Sequence, residues 1–284
     1  MRGGDAVVGN GAHLHRIVRT MGIALVTGGT SGIGAEFARQ LAARGDDLVL
    51  VARDKKRLDA MAAELGALGR SVEVIAADLS DEKDTARVAT RLADTAKPID
   101  ILVNNAGFGG LSKLVNPDIA QQDEAYAVMM RAVWVLTAAV ATGMKERGHG
   151  AIINVASTAG QLSMGAYSSI KAWVITYTES LANELHGTGV TVTALMPGWV
   201  RTEFHERANI SSSSIPNSLW LDAERLVRVS LRDVDRGRVI SIPSIRYRLL
   251  SWLLRHAPRS AVRAVSRRIS LSRSRAATQT TSPQ

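Results

Sequence analysis

Short apolar runs alternate with longer helical stretches along this chain, and that alternation restricts its fold more than any other feature. The predicted strands are predominantly apolar and lie at 23–27, 47–52, 72–76, 99–103, 151–155 and 190–195. Predicted helices separate them at 33–44, 55–68, 81–95 and 121–146, with another after Tyr167. Continuous apolar strands separated by helices are typical of a parallel sheet covered on both faces. We therefore predict an α/β fold, a single doubly wound parallel sheet of Rossmann type with helices on both faces.

The 284 residues suffice for one large folded domain, which we place at 21–244. A further helix at 222–230 and a last strand at 238–242 would complete it. Residues 1–20 are glycine-rich and aperiodic, which predicts a disordered leader or an upstream extension of the domain. The polar stretch 203–221 is predicted to be a substrate loop or lid. A basic amphipathic helical extension at 245–270 and a disordered tail at 271–284 follow.

Composition excludes several kinds of chemistry. The chain has no cysteine, so disulfides, thiolate metal sites and a cysteine nucleophile are ruled out. The six histidines form no ligand pattern, and we predict no metal site. The sequence shows no apolar run near the roughly 18 residues of a membrane span, and 1–20 lacks a signal-peptide stretch. These observations favour a cytoplasmic protein that does not span a membrane.

The formal charge of +9 belongs to the C-terminal segment. From Ile245 to Gln284 there are nine arginines and no acidic residue, which leaves the rest of the chain formally neutral. Arginines at 255, 259, 263 and 267 recur every four residues beside a Leu- and Trp-rich cluster. Such a segment could lie on an anionic membrane surface, or pack over the domain or a second subunit with its arginines exposed. Nucleic acid is disfavoured because the interleaved aromatics of base stacking are missing.

A glycine-rich turn joins the first predicted strand to the first helix. It has the sequence Thr27-Gly28-Gly29-Thr30-Ser31-Gly32-Ile33-Gly34. Glycines permit a tight turn and close backbone approach, and a helix N-terminus offers free N–H groups to a pyrophosphate. The turn lacks the lysine of a P-loop, which argues against a kinase or ATPase. A dinucleotide is therefore expected here. The alternative is that the glycines serve only to form the turn between the strand and the helix.

The end of the second strand indicates which dinucleotide binds. A carboxylate there would bind the ribose hydroxyls of NAD, whereas an arginine suits the 2′-phosphate of NADP. This strand ends in Val51-Ala52-Arg53, so Arg53 favours NADP, with NAD the less favoured cofactor. The alternative is that Arg53 is a solvated residue at the start of a charged helix.

Several motifs, in this order, resemble those of the short-chain dehydrogenase/reductase family. They are the glycine turn, Asp78-Leu79, Asn104-Asn105-Ala106-Gly107, Ser157, Tyr167 with Lys171, and Pro197-Gly198 followed by Thr202. The resemblance covers about two-thirds of the chain, from Ile23 to Thr202. It implies that Asn104 ties neighbouring strands together rather than touching a ligand.

The resemblance also implies specific roles at the cofactor. The residues implied near the phosphates are Gly28, Thr30, Ser31, Gly32, Ile33 and Gly34, with Arg53 at the adenosine phosphate. Those implied at the adenine, the ribose and the nicotinamide carboxamide are Asp78, Leu79, Asn105, Ala106, Gly107, Pro197, Gly198, Val200 and Thr202. Tyr167 and Lys171 would contact the nicotinamide ribose as well as catalyse the reaction.

Tyr167 and Lys171 lie four residues apart, so both can face one cleft from a helix. Lowering a tyrosine pKa from about 10 to about 7 needs roughly 4 kcal/mol, which a nearby lysine and an oxidised nicotinamide could supply. Tyr167 would then exchange a proton with the substrate oxygen. Ser157 would hydrogen-bond that oxygen. A surface tyrosine and lysine at helical spacing is the alternative.

The sequence departs from the family at two places. Met129 stands where the family usually has an asparagine that supports a proton-relay water, and methionine cannot replace its hydrogen bonds. The segment from Ser157 to Tyr167 is also shorter than usual, so that Thr158 or Ser163 could substitute for the serine. Trp199 and Met164 are predicted to be apolar walls of the pocket.

These observations predict an NADP(H)-dependent oxidoreductase that transfers a hydride between the nicotinamide and the carbonyl or secondary alcohol of a small-molecule, hydrophobic substrate. The alternative is a catalytically weakened cofactor-binding protein whose basic tail attaches it to a membrane or a partner. By family analogy, helices 121–146 and 167–186 would form a homo-oligomer face.

Overall fold

The computed structural model describes residues 22–111, 114–203 and 216–280, and for 271–280 it describes the backbone alone. The strands are β1 (Ile23–Thr27), β2 (Asp47–Ala52), β3 (Val72–Ala76), β4 (Ile101–Asn104), β5 (Gly150–Val155), β6 (Val190–Leu195), β7 (Trp199–Val200), β8 (Trp220–Leu221) and β9 (Ile240–Ser241). The helices are α1 (Gly32–Ala43), α2 (Lys55–Gly66), α3 (Glu82–Leu92), α4 (Ala120–Tyr126), α5 (Ala132–Arg147), α6 (Ala166–Glu184), α7 (Ala223–Val234), α8 (Ile245–His256) and α9 (Arg259–Thr280).

Seven strands form one parallel sheet in the order β3-β2-β1-β4-β5-β6-β9. The order reverses at β1, which pairs with β2 on one side and with β4 on the other. β7 and β8 form a separate small parallel pair. The predicted doubly wound sheet is therefore confirmed, and its topological switch point lies at the end of β1.

Hydrophobic cores lie on both faces of the sheet because successive residues of each strand point to opposite sides. Val26 packs with residues of α1, α2 and α7, whereas its neighbour Leu25 packs with residues of α3 and α5. Phe37 on α1 and Leu136 on α5 are fully buried on the two sides. This burial on both faces explains why the central strands are predominantly apolar.

The helical segment from Ala120 to Arg147, in which a π-helical turn joins α4 to α5, is long and apolar enough to span a membrane. The expectation that no stretch has the length and composition of a span is wrong by that measure. In the structure, however, Leu136, Val140 and Met144 of this segment are buried in the core, and α5 packs on α3. A buried core helix passes the same test, so we assign the segment to the fold.

Some predicted bounds differ from the structure. The last strand is only Ile240–Ser241, since two residues alone pair with β6. Helix α9 continues to Thr280, although disorder was predicted from 271, and the stretch 271–280 contains no glycine or proline to end a helix. The predicted leader and residues 204–215 of the predicted substrate loop lie outside the described residues.

Candidate active site

The glycine turn leaves β1 at the switch point and approaches α1 closely. Gly28 and Gly32 have φ of 64° and 55°, a conformation that residues with a side chain rarely adopt. A Cβ on Gly34 would lie 2.2 Å from the Gly28 carbonyl oxygen and 2.4 Å from the Asn105 amide nitrogen. Only glycine therefore allows the turn and the helix to pack at this distance.

The N-terminus of α1 differs from those of three other helices of the sheet domain. In each of these helices an aspartate just before the helix accepts a hydrogen bond from the N–H of the third helical residue. The aspartates are Asp54 for α2, Asp81 for α3 and Asp222 for α7. Ser31, at the same position of α1, makes no such capping hydrogen bond. In the described part of the chain, Ser31 thus leaves the first N–H groups of this helix uncapped, and with the helix dipole they suit a pyrophosphate.

Thr27 and Asn105 hold the glycine turn against the neighbouring strand. The Asn105 side-chain amide donates to the carbonyl oxygens of Thr27 and Gly28, at 3.0 and 3.3 Å. The Thr27 hydroxyl accepts from the N–H groups of Asn105 and Ala106, at 3.0 and 3.1 Å. Asn105 therefore holds the glycine turn in its conformation.

A buried polar network connects the sheet to the helix that carries Tyr167. Asn104 donates to Asn154 on β5 (2.9 Å) and to Thr137 on α5 (3.1 Å), and Asn154 donates to Thr178 on α6 (3.0 Å). Asn104 thus ties neighbouring elements together, as predicted. The partners Asn154, Thr137 and Thr178 carried no recognisable sequence signal.

Two arginines border the outer end of the cavity, next to β2. Arg53 is mostly exposed and lies 3.8 Å from Asp78 Oδ2 and 3.6 Å from Glu124 Oε1. Arg57, which the sequence analysis did not single out, donates to Glu203 at 3.0 Å. Partial burial opposes ionisation of Asp78, but hydrogen bonds from Ser80 and the Arg53 charge leave its pKa below the ordinary value.

Ser157, Tyr167 and Lys171 meet at the inner end of the cavity. A hydrogen bond joins the side chains of Tyr167 and Ser157, and the Ser157 hydroxyl oxygen accepts the Ala159 N–H at 3.1 Å. Lys171 is buried, donates to the Val155 carbonyl oxygen at 2.7 Å and lies 5.7 Å from the centre of the Tyr167 ring. Burial lowers the pKa of Lys171 to about 8.

The pKa of Tyr167 moves in the direction opposite to our expectation. Burial raises it to about 12, and the hydrogen bond with Ser157 offsets only part of that rise. The expected lowering by Lys171 is absent in the described structure, because desolvation of the phenolate is the larger effect. The Tyr167 phenol is therefore protonated at neutral pH.

The short segment between Ser157 and Tyr167 still brings the serine to the tyrosine. It forms a 3₁₀ turn, Thr158–Gln161, in which a Cβ on Gly160 would lie 2.7 Å from the Lys171 backbone. The hydroxyl of Thr158 is engaged elsewhere, and Ser163 does not line the cavity. The Thr158 hydroxyl donates to Pro197 O at 3.2 Å, and the Ser163 N–H donates to the Ser266 hydroxyl of α9 at 3.0 Å.

Met129 lies in the π-helical turn and is buried. A Cβ on Gly107 would lie 2.9 Å from its sulfur, so Met129 packs directly against Gly107 in the cavity wall. A thioether is only a weak acceptor. The chain thus has an apolar side chain at the position where the family resemblance implies an asparagine.

Helix α8 supports the end of the cavity beyond β6. A Cβ on Gly198 would lie 2.0 Å from the Tyr247 ring, so this contact requires glycine. The Tyr247 hydroxyl accepts the Trp199 N–H at 3.2 Å and donates to Leu219 O at 2.8 Å. Nothing in the sequence motifs identified Tyr247, because its role depends on how α8 folds back onto the domain.

One cavity of about 1240 Å³ connects all these groups along the carboxyl ends of the strands. Of the predicted site residues, only Gly34 does not border it, because that glycine lies behind the turn. Its inner part is apolar, and Met164 and Trp199 are among its walls, as predicted. The other apolar wall residues include Phe108, Leu111, Leu114, Val115, Leu162, Leu219, Leu250 and Ile269. Within the described ranges, no group of three His, Asp or Glu side chains is placed to hold a metal ion.

The fold and this constellation together define a nucleotide-dependent oxidoreductase with a tyrosine beside a buried lysine. The short chain dehydrogenase family model matches residues 22–212, and the chain belongs to that family. It is thus an enzyme of the class that interconverts alcohols and ketones.

Relatives and solved structures agree with this assignment. The chain is 34% identical over 194 residues to a 3-oxoacyl-[acyl-carrier-protein] reductase of Synechocystis, covering 67% of this chain and 78% of that protein. A short-chain dehydrogenase from Sphingobium yanoikuyae, solved in complex with NADPH, superimposes with a TM-score of 0.75 at 34% identity over 93% of this chain and 97% of that one. A bulky-bulky ketone specific alcohol dehydrogenase from Comamonas testosteroni gives a TM-score of 0.71 at 32% identity over 94% and 96%.

Proposed function

We propose that this protein is an NADP(H)-dependent reductase of bulky apolar ketones, with Tyr167 as the proton donor. The observation that carries the proposal is the hydrogen bond between Tyr167 and Ser157 above the buried Lys171, at the junction of the cofactor turn and the apolar cavity. Bound NADPH would supply a hydride to the carbonyl carbon. The glycine turn and the open N-terminus of α1 would hold its pyrophosphate.

The side chains of the chain then complete the reduction. The Ser157 hydroxyl donates a hydrogen bond to the carbonyl oxygen and fixes its position beside Tyr167. As negative charge develops on that oxygen, Tyr167 transfers its phenolic proton and the alcohol forms. Lys171, held by Val155 O, stabilises the phenolate that remains. Its positive charge is present below its pKa of about 8.

Substrate size follows from the apolar part of the cavity. Phe108, Met164 and Trp199 line it, and Leu114 and Leu250 lie at more exposed positions of its border. A small polar substrate would leave these surfaces in contact with water, whereas groups on both sides of a carbonyl would cover them. The similarity to the Comamonas enzyme for bulky-bulky ketones supports this substrate class.

The test of the proposal is NADPH oxidation with a panel of ketones of increasing bulk on both sides of the carbonyl. We expect kcat/KM to rise with the apolar size of both substituents. Tight NADPH binding without turnover of any ketone would instead support the alternative, a catalytically weakened cofactor-binding protein.

The preference for NADPH should depend on Arg53. Replacing Arg53 with alanine removes the guanidinium nearest the expected 2′-phosphate, and we expect Kd for NADPH to rise roughly tenfold or more, since a charged hydrogen bond contributes about 1.5–3 kcal/mol. Kd for NADH should change little. Arg225→Ala, at an exposed arginine of α7 outside the cavity, is the matched control. Equal losses for both cofactors would contradict this role.

We also propose that the enzyme is a homo-oligomer through α5 and α6. Trp134 is 61% exposed, and its ring lies 6.4 Å from Tyr177, which stacks on Trp173 at 4.8 Å. An aromatic cluster open to water on two long helices suits an isologous interface. Light scattering should give a multimer for the wild type and a smaller mass for Trp134→Glu, while Leu68→Glu, at another exposed apolar residue, should not change it. A monomeric wild type would refute the interface.

We propose a cytoplasmic location, because the fold is of a soluble type and the chain lacks cysteine. Cell fractionation in high salt should recover the enzyme in the soluble fraction.

A further inference from the structure

Helix α8 packs one face on the protein and carries an exposed apolar face on the opposite side. Tyr247 and Ser251 are buried against the domain. Ile245, Leu249, Trp252 and Leu253 are 76%, 59%, 56% and 51% exposed. Their spacing of four, three and one residues places them within an arc of about 100° on the side opposite Tyr247 and Ser251. We call these four residues the outer stripe.

Arginines border the outer stripe on both sides. At 100° per residue, Arg246 lies at one edge of the stripe, and Arg248 and Arg255 lie at the other. All three are exposed. His256, at the C-terminal end of the same face, contacts the Trp252 ring at 4.7 Å. An apolar stripe flanked by cations is the arrangement of helices that lie in the plane of a membrane surface.

The next helix extends the positive surface. Arg259, Arg263, Arg267 and Arg268 of α9 are exposed. Among the residues that the structure describes, no carboxylate forms an ion pair with these arginines or with the three that border the stripe. The sequence from Ile245 onward has no acidic residue that could neutralise them. The charge is therefore available to an external anionic surface.

From this arrangement we infer that α8 binds the enzyme to anionic lipid membranes. The outer stripe would enter the boundary between headgroups and acyl chains, and the flanking arginines would contact lipid phosphates. A second copy of the chain is a poorer occupant, because a two-fold contact through this face would bring the same arginines against each other. A purely acidic protein would match the arginines but not the four exposed apolar side chains between them.

The same helix also forms part of the cavity wall. Tyr247 and Leu250 line the cavity from α8, while the outer stripe faces away from it. Docking on a membrane would thus bring the cavity close to the lipid phase. If the substrate is an apolar ketone, as proposed above, it could enter from the membrane, but the adsorption itself does not depend on that proposal.

The test uses the purified full chain with vesicles of phosphatidylcholine, with and without phosphatidylserine. We expect sedimentation with the phosphatidylserine vesicles, weaker sedimentation with phosphatidylcholine alone, and release by high salt. Vesicles with brominated acyl chains should quench part of the tryptophan fluorescence. Trp252→Phe should remove that quenching, although four other tryptophans remain.

Two paired variants separate the apolar and the charged contributions. The double variant Leu249→Glu with Leu253→Glu should lower vesicle binding on the order of a hundredfold, since both side chains leave the acyl boundary and add negative charge. Arg248→Gln with Arg255→Gln should weaken binding to anionic vesicles. Arg225→Gln with Arg232→Gln, an equal loss of charge on α7, should not.

NADPH affinity, measured in solution for every variant, shows that the fold and cofactor site are intact. Failure of the proposed reductase activity would leave vesicle binding unchanged, so the two proposals fail separately. Absence of vesicle binding by the wild type would overturn the inference. So would a change of mass in solution caused by Leu249→Glu with Leu253→Glu without any effect on vesicles, since a second copy would then cover the stripe.

Discussion

Replacing Tyr167 with phenylalanine should lower kcat for ketone reduction by about 10²–10⁴, the range that a positioned general acid contributes. The Tyr167 hydroxyl is the group next to Ser157 that can supply a proton, and phenylalanine keeps the ring that faces Lys171. Kd for NADPH should change by less than about threefold, because the variant loses one hydroxyl from a large binding surface. Stopped-flow or steady-state NADPH oxidation with a bulky ketone measures the effect.

Tyr177→Phe is the matched control for this experiment. It removes a hydroxyl from the same helix at a tyrosine that packs on Trp173 outside the cavity. That variant should keep kcat within about twofold of the wild type. A Tyr167→Phe enzyme with more than a tenth of the wild-type kcat would mean that another group donates the proton, and Ser157→Ala would then be examined first.

The pKa of Tyr167 bears on the direction of the reaction. At about 12 it keeps the phenol protonated, which is the form that reduction requires. Oxidation of an alcohol requires the phenolate, and lowering the pKa to about 7 would need roughly 7 kcal/mol of preferential stabilisation. The pKa of about 12 already includes the effect of Lys171, so this further stabilisation would have to come from the positive charge of an oxidised nicotinamide.

The sheet could be predicted from the sequence because strands that are buried by helices on both faces require apolar residues along their length. β2, β3 and β6 begin and end where the apolar runs do. The glycine turn was equally predictable, since Gly28, Gly32 and Gly34 occupy backbone positions that a side chain would block. In these elements the local sequence preference and the tertiary packing favour the same structure.

Other features depended on contacts between residues far apart in the chain. Tyr247 reaches Trp199 only because α8 folds back over the end of β6, and no local sequence pattern predicts that contact. Arg57 and Glu203 meet across a separation of 146 residues. The rise in the pKa of Tyr167 likewise depends on how deeply the assembled cavity buries it, which spacing along a helix cannot reveal.

Replacing Gly34 with alanine should weaken NADPH binding by about ten- to a hundredfold and lower the free energy of unfolding by about 1–3 kcal/mol. The new methyl group would lie 2.2 Å from the Gly28 carbonyl oxygen, which is backbone and cannot rotate away. The turn must therefore move outward, and the hydrogen bonds from the Asn105 amide to Thr27 and Gly28 stretch with it. Fluorescence titration with NADPH and urea denaturation measure the two effects.

Gly66→Ala is the control, because Gly66 lies in α2 and a Cβ there meets no atom within 4 Å. That variant should be more stable than the wild type by up to about 1 kcal/mol and should bind NADPH normally. The two substitutions add the same methyl group, so opposite signs of the stability change would isolate the contact at the turn. Unchanged NADPH affinity in a destabilised Gly34→Ala variant would contradict the placement of the cofactor pyrophosphate at this turn.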